Sequence, residues 1–234
     1  MKKTIFGSLV LIGAFLMASC EKVDHAQSQK ITYYPTLELS GASSIIIDKG
    51  STFTDPGYYA EMQGLDVTDQ VEISSNVNTN ASGIYTVTYT IVNEDGFSAS
   101  ASRTVIVLDP SDAVEGIYTV DPSSYRLYNG SQVAYGRAFQ IIVIGEGGGK
   151  YAVDDLLAGW YCQRAGYGSN YAMPGHIQVD ASGTITLLDS LVPGWNDSAE
   201  GMTDGKFDAA TSTISYDLEY TSYPFHFVVT MTKN

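Results

Sequence analysis

The chain has 234 residues, a length that holds one or two domains. With 44% apolar and only 16% charged residues it can bury a core, which excludes a disordered chain. A formal net charge of −14 repels phosphate backbones and so excludes nucleic acid as a partner, with solubility as the plain meaning of the acidity.

Residues 1–20 read MKKTIFGSLVLIGAFLMASC. Lys2 and Lys3 precede an apolar stretch, Ile5 to Met17, that is short for a membrane span. Met17-Ala18-Ser19-Cys20 resembles the lipobox of bacterial lipoprotein signals, with Met17 where Leu is usual. The resemblance implies a signal peptide over 1–19, acylation of Cys20, and a membrane reached through that lipid anchor. Cleavage removes Lys2 and Lys3 and takes the net charge to −16. Each acyl methylene buried in lipid contributes about 0.8 kcal/mol. Residues 20–35 have no hydrophobic period and read as a tether. Glu21 and Asp24 loosely resemble the acidic surface-export signals of Bacteroidetes lipoproteins, which implies the outer membrane and its outer face. With Cys20 lipidated, Cys162 has no partner for an internal disulfide and is expected as a buried, inert thiol.

Residues 36–109 alternate short apolar runs with turns. Leu37 and Leu39 share one face, Ile45-Ile46-Ile47 ends at Asp48-Lys49-Gly50, and Asp55-Pro56-Gly57 is a turn. The clearest strand is Ile84–Ile91, with Tyr85, Val87, Tyr89 and Ile91 on one face and threonines on the other. Asn93-Glu94-Asp95-Gly96 turns the chain into a strand around Arg103–Val107. About seven short strands make an Ig-like β-sandwich. Tyr85 resembles the tyrosine corner of that fold, with Val87 where a disulfide cysteine would stand. The runs GSTFTDPGYYA, LDVTDQV and NVNTNASGIYTVTYTIVNEDGFSASASRTVIVLD resemble the bacterial Ig-like domain named after a pesticidal crystal protein, which implies a spacer or adhesive unit without catalysis.

Asp109–Asp112 is a short hinge, and residues 113–234 form the second domain, which holds both tryptophans and 11 of the 17 tyrosines. Strands are expected at 116–121, 138–144, 150–153, 176–179, 184–188, 213–220 and 225–232, with hairpin turns at Gly145–Gly149 and Asp180–Gly183. The whole chain is expected to be all-β, the second domain an antiparallel β-barrel or sandwich. With the Ig-like module in front, the chain resembles a lipoprotein family whose C-terminal domain has no known function. Its genes often accompany glycan-uptake machinery, so polysaccharide and outer-membrane uptake proteins are implied partners.

Chemistry-bearing motifs are sparse. His25, His176 and His226 have no metal-ligand spacing, so no metal and no cofactor is expected. Asp154 and Asp155 are adjacent, would face opposite ways in a strand, and read as its end. Asp204–Asp208 reads as a turn and lacks calcium-loop spacing. No GxSxG nucleophile motif occurs, so no enzyme is expected. What remains is aromatic. Trp160, Tyr161, Tyr167 and Tyr171 lie in one glycine-rich connection, and Trp195 lies in Pro193-Gly194-Trp195-Asn196-Asp197. Flat rings with polar tips suit the apolar faces of sugars, and loops on a rigid scaffold are where binding residues gather. These five are the candidate ligand-binding residues of a non-enzymatic, glycan-binding accessory lipoprotein. The competing readings are rings packed as core or lid, and a structural or protein-partner module of an outer-membrane assembly.

Overall fold

The computed structural model describes residues 31–220 and 224–234. The signal peptide over 1–19, Cys20 and His25 lie outside the described residues. No helix among the described residues is long and apolar enough to cross a membrane.

The N-terminal strands are β1 (Thr36–Leu39), β2 (Ser44–Asp48), β3 (Tyr58–Met62), β4 (Leu65–Asp66), β5 (Glu72–Ser75), β6 (Gly83–Val92) and β7 (Ser98–Leu108). They form two sheets, β1-β3-β4 and β2-β7-β6-β5, with β2 parallel to β7 and the other pairs antiparallel. This is the expected Ig-like sandwich. Strand β6 alternates as its sequence demands: Val87, Tyr89 and Ile91 are buried, and Ile84, Thr86 and Val92 are exposed. The turn after β6 is held by Asn93, whose side-chain oxygen accepts the N–H groups of Asp95 (3.0 Å) and Phe97 (2.7 Å).

Two polar contacts fix the sandwich, one local and one between the sheets. The Tyr85 hydroxyl donates to the Ala81 carbonyl at 2.9 Å, closing the tyrosine corner four residues upstream. Arg103 on β7 is fully buried. Its guanidinium donates to the carbonyls of Ser40 (2.9 Å), Gly57 (2.9 Å) and Ala42, which belong to the chain around the opposite sheet. Its Nε lies 3.3 Å from Asp55 Oδ1, and the Tyr89 hydroxyl donates to the other oxygen of Asp55 at 2.5 Å. One planar cation with several donors in a fixed fork thus spans the two sheets.

The second domain contains β8 (Gly116–Val120), β9 (Tyr125–Tyr128), β10 (Ser131–Ala134), β11 (Gln140–Gly147), β12 (Lys150–Val153), β13 (Gly175–Val179), β14 (Ile185–Ser190), β15 (Ala199–Asp208), β16 (Thr213–Tyr220) and β17 (Phe225–Lys233). They build one curled antiparallel sheet in the order β10-β9-β17-β8-β11-β12-β13-β14, with β16 joining β15 to β17. Strand β17 is central: β16 runs along one side of it, and β9 and then β8 along the other. The curl almost closes where β14 meets β15, through bridges at Thr184–Lys206 and Val192–Asp197 and a 2.7 Å bond from Phe207 N–H to the Gly183 carbonyl. The core inside includes Tyr118, Ile141, Leu157, Met173, Ile214, Leu218, Phe227 and Met231.

The two expected hairpins are present, at Gly148-Gly149 between β11 and β12 and at Asp180–Gly183 between β13 and β14. Strands β9, β10 and β15 were not legible as strands. Asp204–Asp208, expected as a turn, lies inside β15. The strand carries a bulge between Thr203 and Lys206, and Asp204 adopts a φ of 53° there. A bulge puts Asp-Gly, a turn signal, in the middle of a strand.

The hinge Asp109–Asp112 is tied down. Glu115, itself buried, accepts the Asp109 N–H at 3.1 Å, and Tyr151 donates its hydroxyl to Asp112 at 3.1 Å. Lys233 donates to the Asp112 and Ala113 carbonyls at 3.1 and 3.2 Å.

Arg103→Ala is expected to destabilise the protein by about 3–5 kcal/mol, because it empties a fully buried site and removes the partner of three carbonyls and of Asp55 together. Tyr85→Phe, which removes one hydrogen bond, should cost about 1 kcal/mol. Urea denaturation of the two variants beside the parent checks both values and their order.

Candidate functional site

The aromatic connection begins where β12 ends, at Val153. Asp154 and Asp155 do end the strand, and Asp155 does much more. Its carboxylate is almost fully buried and accepts four donors. Oδ1 takes the N–H groups of Leu157 and Met173, both at 2.9 Å. Oδ2 takes the Gly159 N–H at 2.8 Å and the Cys162 thiol at 3.1 Å. Leu157 and Met173 stand at opposite ends of the connection, so one side chain closes the whole loop at its base. Burial raises the Asp155 carboxyl above its ordinary range, and the N–H donors oppose that rise. Asp154, beside it, accepts the Ile142 N–H at 2.8 Å. Burial first, and then the neighbouring Asp155, push its carboxyl up to about 7.

Backbone shape does the rest. Ala158 and Gly159 have φ of 51° and 84°, which reverses the chain at the foot of the loop. A side chain on Gly159 would strike the Phe139 ring at 2.8 Å. A single π-helical turn follows, Trp160–Arg164, and then a 3₁₀ turn, Ser169–Tyr171. The hydroxyls of Tyr135 and Tyr216 donate to the Leu157 (2.8 Å) and Leu156 (2.9 Å) carbonyls and pin the first residues of the loop from inside the core.

The five aromatic candidates separate into two groups. Trp160 is core: it is 3% exposed and packs edge-on against Tyr135 (4.9 Å between ring centroids) and Phe227 (5.9 Å). Its faces are covered by guanidinium groups, Arg164 at 4.2 Å and Arg126 at 4.9 Å from the ring centroid. The expectation that Trp160 presents itself to a ligand is therefore corrected; the π turn aims it inward and sends its neighbour Tyr161 outward.

Tyr161, Tyr167, Tyr171 and Trp195 form one cluster. Tyr161 meets Trp195 edge to face at 4.7 Å and stacks on Tyr167 at 6.1 Å. Tyr171 lies 4.9 Å from Trp195 and 5.5 Å from Tyr167. Tyr161 also touches Phe227, which roots the cluster in the core. Tyr167 is 56% and Trp195 42% exposed, while Tyr161 and Tyr171 are half-buried beneath them. Trp195 arrives from the loop between β14 and β15, and that loop sits flat on the 3₁₀ turn. Gly194 N–H donates to the Asn170 carbonyl at 2.7 Å, and a side chain at Gly194 would meet the Tyr171 ring at 2.7 Å.

The remaining candidates stand apart. Cys162 is half-buried, donates to Asp155, and has its thiol pushed up to about 12 by burial and then by that carboxylate, so it is a poor nucleophile. His176 lies in β13 beside Asp189 (2.7 Å) and Glu146 (3.4 Å), and His226 lies in β17 beside Asp217 (3.1 Å). Sequence reading missed Asp155, Phe227, Arg126 and Arg164 as parts of the site. The available signal for Asp155 was its place: a carboxylate between a strand end and a long glycine-rich connection, in a chain with few charges.

Asp155→Asn should destabilise the domain, because its amide places donors against donors, at about 1–3 kcal/mol for each stranded N–H. Limited proteolysis should then cut within 156–173. Asp154 gives a pH signature. Between the ordinary 3.8 and about 7 the folded protein keeps a proton that the unfolded chain releases. Its contribution is thus full below about pH 4 and falls as pH rises to 7, by on the order of a few kcal/mol. Urea titrations across that range should show the fall in the parent and a flatter profile in Asp154→Asn.

Comparison with known proteins places the chain. A C-terminal-domain family model matches residues 107–233, and the model for the bacterial surface protein, Ig-like domain matches residues 37–107. The crystal structure of the lipoprotein BT2262 from Bacteroides thetaiotaomicron is 40% identical, covers 86% of this chain and 100% of that one, and superposes with a TM-score of 0.75. A structure of CBM51-2 in complex with GlcNAc and INT domains from Clostridium perfringens ZmpB is 22% identical over 50% of this chain and 31% of that one. Its TM-score is 0.27, which carries no argument about fold or ligand. No curated protein matches the chain. The chain therefore belongs to the family of the Bacteroides lipoprotein BT2262, in which an Ig-like bacterial surface domain precedes a C-terminal β domain.

Proposed function

We propose that this lipoprotein is held to the outer membrane by an acylated Cys20, faces outward, and binds carbohydrate without catalysis as an accessory to polysaccharide uptake. The observation that carries the reading is the cluster of Tyr161, Tyr167, Tyr171 and Trp195: two exposed rings resting on two half-buried ones, all fixed to the core. Sugars have apolar C–H faces edged by hydroxyls. Flat rings suit the faces, and the exposed Asn170 and Asn196 beside them suit the hydroxyls. Ring stacking restricts the rings before any ligand arrives, so little rotamer freedom remains to be lost on binding.

The non-enzymatic part rests on what the acids of the loop already do. Both oxygens of Asp155 are taken by the loop itself, Asp154 holds a strand N–H, and the nearby thiol is held far from its reactive form. The Ig-like sandwich then acts as the spacer that carries the domain away from the membrane.

The soluble chain from Glu21 onward, run through gels containing individual polysaccharides, tests the reading. Retardation by at least one polysaccharide is expected, with Trp195→Ala or Tyr167→Ala weakening it about tenfold and leaving the melting temperature in place. Trp160→Ala should behave differently and lower stability by about 3–5 kcal/mol, as a core truncation does. Migration unchanged by every polysaccharide class would leave a structural module in place of a binding protein.

A further inference from the structure

Three of the four arginines of the chain lie in or against the connection that carries the aromatic cluster: Arg164 within it, Arg137 on its Gln163 and Arg164 carbonyls, and Arg126 on Trp160 and Tyr161. That is unusual company in a protein with 26 acidic residues and 12 basic ones. The fourth, Arg103, is paired with Asp55 in the other domain. Among the described residues no carboxylate lies within ion-pair distance of the three.

Rings and carbonyls hold these arginines in place of acids. Arg126 lies over Trp160 at 4.9 Å and over Phe225 at 4.7 Å, and its Nε is buried without a hydrogen-bond partner. It also reaches the hydroxyl of Tyr161, a member of the cluster. Arg164 stacks on Trp160 at 4.2 Å and donates from Nε to the Tyr135 carbonyl at 3.1 Å. Arg137 lies over Phe139 at 5.1 Å and donates to the Gln163 carbonyl at 3.0 Å. A guanidinium stacked on a ring keeps its donors in its own plane, at the edge, where they can form a fork around a carboxylate or sulfate. Stacking fixes the direction of that fork and leaves its charge uncompensated.

We infer that the carbohydrate bound at this site is acidic, a polysaccharide bearing carboxylate or sulfate groups, with Tyr167 and Trp195 stacking on a sugar face and Arg126, Arg164 and Arg137 receiving the anionic group. The inference rests on the carbohydrate reading above and adds the ligand's charge. General attraction cannot imitate it, because a net charge of −14 repels a polyanion from the surface as a whole.

The test compares polysaccharides that differ in charge. The chain from Glu21 onward is run through gels of polygalacturonate, alginate, chondroitin sulfate and heparin, and through amylopectin, xylan and galactomannan. Retardation by at least one anionic polymer is expected, with at least about tenfold weaker retention by neutral ones and loss of binding in about 0.5 M sodium chloride. Arg126→Gln should abolish retention, and Arg126→Lys should restore part of it. Where Arg126→Gln fails to melt like the parent, Arg137→Gln, at an exposed position, and the salt dependence of the parent decide. Retention by neutral polymers alone, or retention of both kinds at equal strength and indifferent to salt, overturns the acidic ligand and leaves the carbohydrate reading standing. Retention by no polymer overturns both.

Discussion

The Asp155 carboxylate is the constraint on which the site depends. A buried carboxylate costs several kcal/mol unless donors surround it, and here the donors come from the two ends of the connection it closes. The folded loop satisfies the acid, and the acid in turn holds the two ends of the loop together. The left-handed corner at Ala158 and Gly159 and the π turn that follows are strained or uncommon shapes, and they persist because both sides of the loop are fixed at its base. From that corner the chirality of one turn decides that Trp160 points in and Tyr161 out. The separation of the buried Trp160 ring from the half-buried Tyr161 ring therefore follows from a side chain that packs against neither of them.

The Ig-like half uses the same device with the opposite charge. Arg103 spans the two sheets and satisfies three carbonyls and a carboxylate that would otherwise be stranded. Each domain thus organises a stretch of backbone around one buried ionisable side chain, Arg103 in the first and Asp155 in the second, in a chain poor in charged residues. Such a side chain adds less to stability than to definition, because its geometry admits few alternatives. The tied-down segment Asp109–Asp112 extends that definition across the join between the halves.

The fold was legible where local pattern and tertiary demand agree. Strand β6 carries its inward face in plain alternation, and Tyr85 announces its corner by spacing alone. Legibility failed where tertiary structure overrides local signals. Strand β15 hides behind Asp204-Gly205, because a bulge borrows turn chemistry inside a strand. Strands β9 and β10 are short, the first mostly half-buried and the second exposed throughout, so they carry no clean alternation. At the site, sequence alone found the rings and could not sort them. Trp160 and Tyr161 are adjacent, of similar chemistry, and set at different depths by a π turn that leaves no mark on composition. Asp155 was hidden for a related reason: three of its four partners are backbone N–H groups, which nearly every residue carries.

The cluster is assembled from two connections, one between β12 and β13 and the other between β14 and β15. Its integrity therefore depends on how the curled sheet closes. Near Trp195 the seam is fastened by the Val192–Asp197 bridge and by Gly194, where only the absence of a side chain lets the loop lie on Tyr171. Between this point and the Thr184–Lys206 bridge, β14 and β15 are not joined by a continuous ladder. Trp195, carried by the loop that joins β14 to β15, rests on Tyr161 and Tyr171 of the β12–β13 connection, so ring packing ties the two connections together beside the seam. Ring platform and sheet closure are in this sense one structural unit. A side chain at Gly194 would push the loop off Tyr171 and move Trp195, while leaving the chemistry of every ring intact.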